Sequence, residues 1–476
     1  MPDSHSEPSQ NAPAGKAKGK GRKKLAGIGG PMSRDSLPAW IAPVLMVVYG
    51  VIILTPIAVV AIAHSPTDHG FTYTVGKNLA LIGFTILAMQ FVLSARLKWI
   101  ERPFGLNMLF DFHKTMAVVA TALILSHPLL LAFGGPHWNL IFGPNISWHI
   151  WLGRIALMIL LVHALLASFR FIIRLNYQTW RFVHNVGALV VFPLAFFHSW
   201  NAGEDFSLVW MKVFWCVLVA AGVGAFVWHR LLRTMFLKQH PYTVIDVRQE
   251  TPDTWTIKLA PPKGFLRFSY LPGQFHFLTF YRAPNLPVEE HHWTISSTPT
   301  EDGIVASTIK ESGDFTASIG KTKVGDKALI HGPFGRFSYA LHPHERDLVF
   351  IAGGIGMTPL MSMLRHMRDT RDERRVLLLY GNTSEQDIIF REELEGMEAG
   401  AHPQLKVVHV LSNPSDEWPG EKGRIDVEKT ERHCGDDLEK RAFYVCAPPP
   451  MMDAVVKCLR ARGVPAKKIH FERFNL

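Results

Sequence analysis

Phe112-His113-Lys114 opens an apolar stretch, Ser126-His127-Pro128 closes it, and the two histidines stand 14 positions apart. The same interval separates His149 from His163 and His184 from His198, again inside apolar stretches. At 1.5 Å and about 100° per residue, 14 residues make about 3.9 helical turns, so both rings of a pair share one helix face about 21 Å apart. Such a helix carries one imidazole near each surface of a membrane. Imidazole in hydrocarbon is costly, and two facing helices with this interval are suited to ligate two haems stacked across a bilayer. Any single position reads equally well as a packing histidine; the repeated interval argues for ligation.

Six apolar stretches, near 40–63, 79–97, 109–133, 149–173, 182–200 and 207–228, are long enough or nearly so to cross about 30 Å of hydrocarbon. The connections holding Arg96, Lys98 and Arg102, and Arg170, Arg174 and Arg181, are basic, as is 229–238, whereas 134–148 has neither Lys nor Arg. Positive-inside logic then places both termini in the cytosol, with the chain integral to a plasma or inner membrane. On this topology helices three and five both run outward. His113, beside Lys114, and His184, three residues after Arg181, form an inner pair, and His127 and His198 an outer one. The fourth helix runs inward and is offset, which makes His149 interfacial and His163 a core hydrogen-bonding residue. Arg154, one turn inside that helix, either snorkels outward or meets an anionic group near the outer haem.

Residues 1–35 form a basic arm with little apolar surface to bury, and no structure is expected of it. The net charge of +10 over 476 residues is concentrated there and beside the apolar stretches, so it points to anionic lipid rather than nucleic acid. Four cysteines without CxxC spacing give no disulfide framework, zinc site or iron-sulfur site. The expected domains are the arm at 1–35, a haem-binding six-helix all-α transmembrane bundle at 36–235, an antiparallel β-barrel at 236–342 and an α/β Rossmann-like domain at 343–476.

After residue 240 the texture changes to short alternating strands, at 242–247, 254–259, 274–280, 292–297 and 306–310, and then to strands alternating with helices. The strand 347–352 runs into Gly353-Gly354-Ile355-Gly356-Met357-Thr358-Pro359 and a helix. Glycines let backbone approach a pyrophosphate, and a helix N-terminus favours the anion. A second turn, Cys446-Ala447-Pro448-Pro449, follows the strand 442–445, so the two turns are expected to meet over one crevice.

With these motifs, residues 100–476 resemble the ferric reductase and NADPH oxidase superfamily, in which a haem membrane domain joins a ferredoxin-NADP reductase-like module. The resemblance rests on Phe112-His113-Lys114, His127, Trp180-Arg181, His184 and His198, and on Glu290-His291-His292-Trp293-Thr294, which resembles the flavin motif. It implies that His291 approaches the FAD pyrophosphate with His292 beside it, that Trp293 flanks the flavin, and that Thr294 bonds near its reactive nitrogen. Ile309-Lys310 and Gly313-Asp314-Phe315-Thr316 resemble the second flavin motif, and His331-Gly332-Pro333-Phe334-Gly335 the domain junction. Gly353, Gly354, Gly356, Met357, Thr358 and Pro359 resemble the nicotinamide-nucleotide motif. Cys446 and Pro448 resemble its partner near the nicotinamide, where a small buried cysteine serves equally well as packing. A terminal aromatic often covers the flavin in such proteins, and Phe474 is the candidate.

The resemblance implies an NAD(P)H oxidase or ferric-chelate reductase-type flavocytochrome b, carrying FAD and two b-type haems and taking NADPH or NADH. Thr294, Phe474 and Cys446 are its candidate catalytic residues, and His113, His127, His184 and His198 its iron ligands. Where NADPH-specific relatives carry a Ser-Arg pair, this chain has Ser412-Asn413, with Lys422 and Arg424 as substitutes, and NADPH is only slightly favoured. Oxygen giving superoxide is the leading acceptor; ferric or cupric chelates, for which His64, His69 and His137 are suggestive, and a quinone or periplasmic redox partner are alternatives.

Overall fold

The computed structural model describes residues 23–24, 38, 40–63, 70–135, 137–170, 172–301, 303–435 and 437–473. Phe474, His64, His69 and all of the basic arm except 23–24 lie outside the described residues. Lys23–Lys24 pairs in parallel with Phe265–Leu266.

Six helices are long and apolar enough to cross a membrane. They are α1 (Ile41–Ile62), α2 (Phe71–Ser94), α3 (Leu106–Phe133), α4 (Trp148–Phe169), α5 (Tyr177–Ala202) and α6 (Val209–Val227). Helix α2 packs against α1, α3 and α6. Around it Phe84 stacks on Phe192 and Trp215 at 5.5 and 5.1 Å. It starts eight residues earlier than its apolar stretch suggests and so draws Lys77 inward. Asp205 meets that ammonium at 3.0 Å, and the pair neutralises the charge that the helix carries inward. Likewise, α6 does not stop where basic residues begin. It passes through a π turn, Trp228–Leu232, and a last helical piece, Arg233–Gln239, toward the next domain.

The next domain is an antiparallel sheet of β1 (Tyr242–Thr251), β2 (Thr254–Ala260), β3 (Phe275–Tyr281), β4 (Glu290–Thr294), β5 (Val305–Lys310) and β6 (Lys327–Phe334). Their order is β4-β3-β6-β1-β2-β5. The sheet curls until its edges meet, for beyond β4 the Ser296 amide donates to Ala306 O on β5 at 2.8 Å. Inside lie Val244, Ile257, Leu278, Phe280 and Ile309.

A second sheet is wholly parallel, with β7 (Asp347–Gly353), β8 (Arg375–Asn382), β9 (Gln404–Leu411), β10 (Glu421–Lys422), β11 (Ala442–Cys446) and β12 (Ile469–Phe471) in the order β10-β9-β8-β7-β11-β12. Helices α7 (Met357–Asp369), α8 (Arg391–Glu398), α9 (Val427–Cys434) and α10 (Pro449–Ala461) accompany it. The near-continuous apolar strands 348–352 and 376–380 are what a sheet buried on both faces requires.

Candidate functional site

The membrane histidines come together in pairs. The ring centres of His113 and His184 are 6.2 Å apart, and those of His127 and His198 are 6.5 Å apart. With a metal-nitrogen bond of about 2.0–2.1 Å, two imidazoles on opposite sides of one ion have centres roughly 6.3 Å apart. Both pairs therefore have the spacing of axial ligands. His198 Nδ1 lies 2.8 Å from His149 O, and His127 Nδ1 lies 3.1 Å from Gly76 O. Each backbone carbonyl accepts a proton from Nδ1, which leaves a lone pair on Nε2 for a metal. Gly153 of α4 faces the His198 ring, and a Cβ there would sit 2.7 Å from it. The glycine leaves the ring its room.

His163 does not form a ligand pair. Its Nε2 lies 2.7 Å from His184 Nδ1, too close for an ion bonded to both, and the contact holds the His184 ring in place. Arg154 is held by backbone carbonyls. Its guanidinium donates to Leu140 O at 2.9 Å and Asn139 O at 2.7 Å, satisfying carbonyls of the short helix Asn139–Phe142.

Beneath α3 and α5 the reductase half is bolted to the membrane half. Glu290 accepts from Arg96 at 3.2 Å and Arg181 at 3.1 Å and faces Arg233 at 3.7 Å. Burial favours the neutral acid, but Arg96, Arg233 and Arg181 outweigh it and hold the carboxyl down at about 2. The Arg96 guanidinium lies 3.6 Å over Phe277, and Lys98 lies 3.4 Å over Phe334. Gln178 donates to Glu289 at 3.0 Å, Arg336 to Arg102 O at 2.7 Å, and Asn107 to Arg473 O at 2.9 Å. The sequence showed these residues as separate charge clusters; no pattern marked their common partner.

On β4, successive side chains face opposite ways. The His291 ring lies 4.3 Å from Phe315 and 5.8 Å from Trp293, forming an aromatic shelf. His292 points instead toward Phe275 and Phe277, at 6.1 and 6.0 Å. The buried Trp293 Nε1 has no hydrogen-bond partner among the described residues, nor has Arg282 Nε, whose guanidinium lies 5.0 Å over Phe315. Thr316 Oγ1 caps its own turn, accepting from the Ser312 and Gly313 amides at 2.7 and 2.8 Å. Gly313 faces open space. Ile309 is core, Lys310 pairs with Asp253 at 3.1 Å, and Thr294 is buried.

The two turns of the parallel domain meet. Ala352 and Cys446 are register partners, and a Cβ on Gly356 would lie 2.1 Å from Cys446 O. A Cβ on Gly353 would strike Met451, Pro448 and Ala447 at 2.8–2.9 Å. Gly354 has φ +51°. Met357, Thr358 and Pro359 are buried in the opening turn of α7, where Thr358 Oγ1 donates to Ile355 O at 3.0 Å. Burial pushes the Cys446 thiol well up, and the nearby Glu472 adds to it. Glu472 itself, raised to about 8 by burial and by Glu101, was missed in the sequence because nothing marks a lone glutamate as buried. Asn413 N donates to Thr383 O at 2.8 Å, and Lys422 pairs in register with Leu411, which brings both segments to one end of the sheet.

The chain joins facing histidine pairs on α3 and α5, two of six helices long and apolar enough to cross a membrane, to an antiparallel domain and a parallel nucleotide-type domain. Its components carry family signatures: residues 79–195 match the ferric reductase like transmembrane component, and residues 350–457 match the oxidoreductase NAD-binding domain. The two matched segments are thus similar to a ferric reductase-like membrane component and to an NAD-binding oxidoreductase domain. Over 246 residues it is 32% identical to the propane 2-monooxygenase reductase component of Rhodococcus jostii, covering 49% of this chain and 62% of that one. It is 34% identical to NADH-cytochrome b5 reductase 1 of Candida glabrata over 33% of this chain and 55% of that one. A solved Amycolatopsis cytochrome P450 reductase is 22% identical, with TM-score 0.44, over 49% of this chain and 69% of that one.

Proposed function

We propose that this chain moves electrons from cytosolic NAD(P)H to an acceptor on the outer face of a plasma or inner membrane, with FAD and two b-type haems resident and oxygen, reduced to superoxide, as acceptor. The observation carrying this reading is the pair of histidine separations, 6.2 and 6.5 Å, on two helices of which the ferric reductase-like match at 79–195 takes in all but the end that bears His198. The FAD and NAD(P)H assignments draw on the reductase relatives.

His113 and His184 would hold the inner haem, and His127 and His198 the outer. His149 O and Gly76 O keep His198 and His127 in the tautomer a metal needs, and His163 would hold the His184 ring through its Nδ1. The shelf of His291, Trp293 and Phe315 would hold FAD, with unpartnered N–H groups of Trp293 and Arg282 aimed at it; His292, facing away, would contribute through its strand alone. Gly313 leaves room for backbone to approach a phosphate, while Thr316 holds that turn closed and Lys310 is tied to Asp253. Ile309 supplies backbone only. Gly353, Gly354 and Gly356 let chain approach the dinucleotide pyrophosphate at the start of α7, with Met357, Thr358 and Pro359 anchoring the helix, and Cys446 and Pro448 lining the facing turn as neutral groups. Thr294, Cys446 and Phe474 remain the proposed catalytic set, and Lys422 and Arg424 favour a 2′-phosphate. A flavin held on this shelf would supply the exchange between two-electron and one-electron transfer, and haem held by the two histidine pairs would supply one-electron acceptors.

The ferric reductase match favours a second acceptor, ferric or cupric chelate. Anaerobic stopped-flow with NADPH or NADH, then oxygen or ferric citrate, separates them. Nucleotide should reduce the haem, and oxygen should reoxidise it with superoxide released. Haem reducible by dithionite but by neither nucleotide sinks the relay, and reoxidation by ferric citrate alone transfers the assignment to chelates.

A further inference from the structure

Away from the histidine pairs and both turns, His342, Glu345 and His470 present ligand atoms that all lie within 4.8 Å of one another. We infer that they form a binding site for a borderline divalent cation of the zinc type. His342 and Glu345 lie on the segment leading from β6 to β7, and His470 lies on β12, so the set closes only in the folded reductase half. Two imidazoles and one carboxylate are a donor set that zinc takes with an open fourth position for water. In a tetrahedral site with bonds of about 2.0–2.2 Å the donors are roughly 3.4 Å apart. His470 Nε2 and Glu345 Oε1 are already 2.8 Å apart, and the two imidazole centres are 4.0 Å apart. Both separations are shorter than an ion between the groups requires, so ligation would move the side chains apart and replace their direct contact.

The surroundings suit a metal. The Tyr444 hydroxyl donates to Glu345 Oε2 at 2.6 Å and fixes the carboxylate, while Oε1 meets His470 Nε2 at 2.8 Å, the contact that an ion would replace. The His470 and Glu345 side chains are each 15% exposed, which gives access and space for a water ligand. Arg336 and Arg374 lie nearby and oppose the cation, which sets the affinity below that of a closed structural site. Because its ligands come from the interdomain segment and the terminal strand, the ion would clamp β12 to the junction.

The test uses the full chain, purified without a polyhistidine tag and stripped with chelator, then titrated with Zn²⁺ in equilibrium dialysis and with Co²⁺ by visible absorption. One Zn²⁺ per chain and tetrahedral Co²⁺ bands are expected, together with a higher melting temperature when Zn²⁺ is present. His342→Ala, which gives up ring contacts only, should weaken binding at least tenfold, as should His470→Gln, while Tyr444→Phe should weaken it about tenfold with the ligands intact. Wild type and the His342→Ala/His470→Gln double variant binding Zn²⁺ with equal stoichiometry and affinity would overturn the site, as would no binding by wild type.

Discussion

Gly153 matters because His198 occupies the space its side chain would fill. A Cβ at 2.7 Å must push the ring off its bond to His149 O, so Gly153→Ala should alter the outer haem alone. Redox titration should show one of two potentials moving. The converse case is His163. His163→Leu removes the partner of His184 Nδ1, so both haems should be retained while inner-haem affinity falls about 10–100-fold. His127→Ala or His198→Ala should cost one of the two haems outright. Haem content after His163→Leu equal to that after His184→Ala would mean that the wrong histidines have been paired. The candidates were legible in the sequence because a 14-residue interval fixes a helix face. His163's bond was not, since which nitrogen meets which partner depends on how α4 and α5 cross.

At the level of elements, strand alternation decided more than motif identity. The motif around β4 treats His291 and His292 alike, yet the pleat sends one ring to Phe315 and the other to Phe277. The basic residues after Val227 were likewise read as a helix limit, whereas a π turn carries α6 onward, and α2 starts ahead of its apolar stretch with Lys77 paired to Asp205. Glu290 shows what local reading leaves out, because its three arginines come from the chain before α3, the start of α5 and the end of α6. Removing one member of a buried ion pair costs about 3–5 kcal/mol, and Glu290→Gln should lower the melting temperature of the whole chain accordingly. Since the folded carboxyl sits near 2, below its ordinary 4.5, the stabilisation is complete above about pH 4.5 and lost as pH falls toward 2. Melting curves across that window should converge for wild type and Glu290→Gln; parallel curves would show that the carboxylate contributes nothing.

Across the whole molecule, the α/β half was legible as strands and glycine turns because parallel pairing forces apolar runs and leaves their ends to the ligand. Gly356→Ala tests that joint. Its Cβ would meet Cys446 O at 2.1 Å, so KM for the nucleotide should rise at least tenfold while dithionite-reducible haem stays constant. The proposed direction is checked with sealed vesicles: inverted membranes should oxidise added NAD(P)H, and right-side-out membranes should not until permeabilised. Equal rates in both would reverse or abolish the topology. Curated relatives match this chain over only part of their own length, and reductase halves look like exchangeable cassettes. The Glu290 junction argues otherwise for this one. A chimera that grafts a foreign reductase after residue 240 would leave Arg96, Arg181 and Arg233 facing each other with no anion between them, so a working graft has to bring a carboxylate to that position along with its flavin.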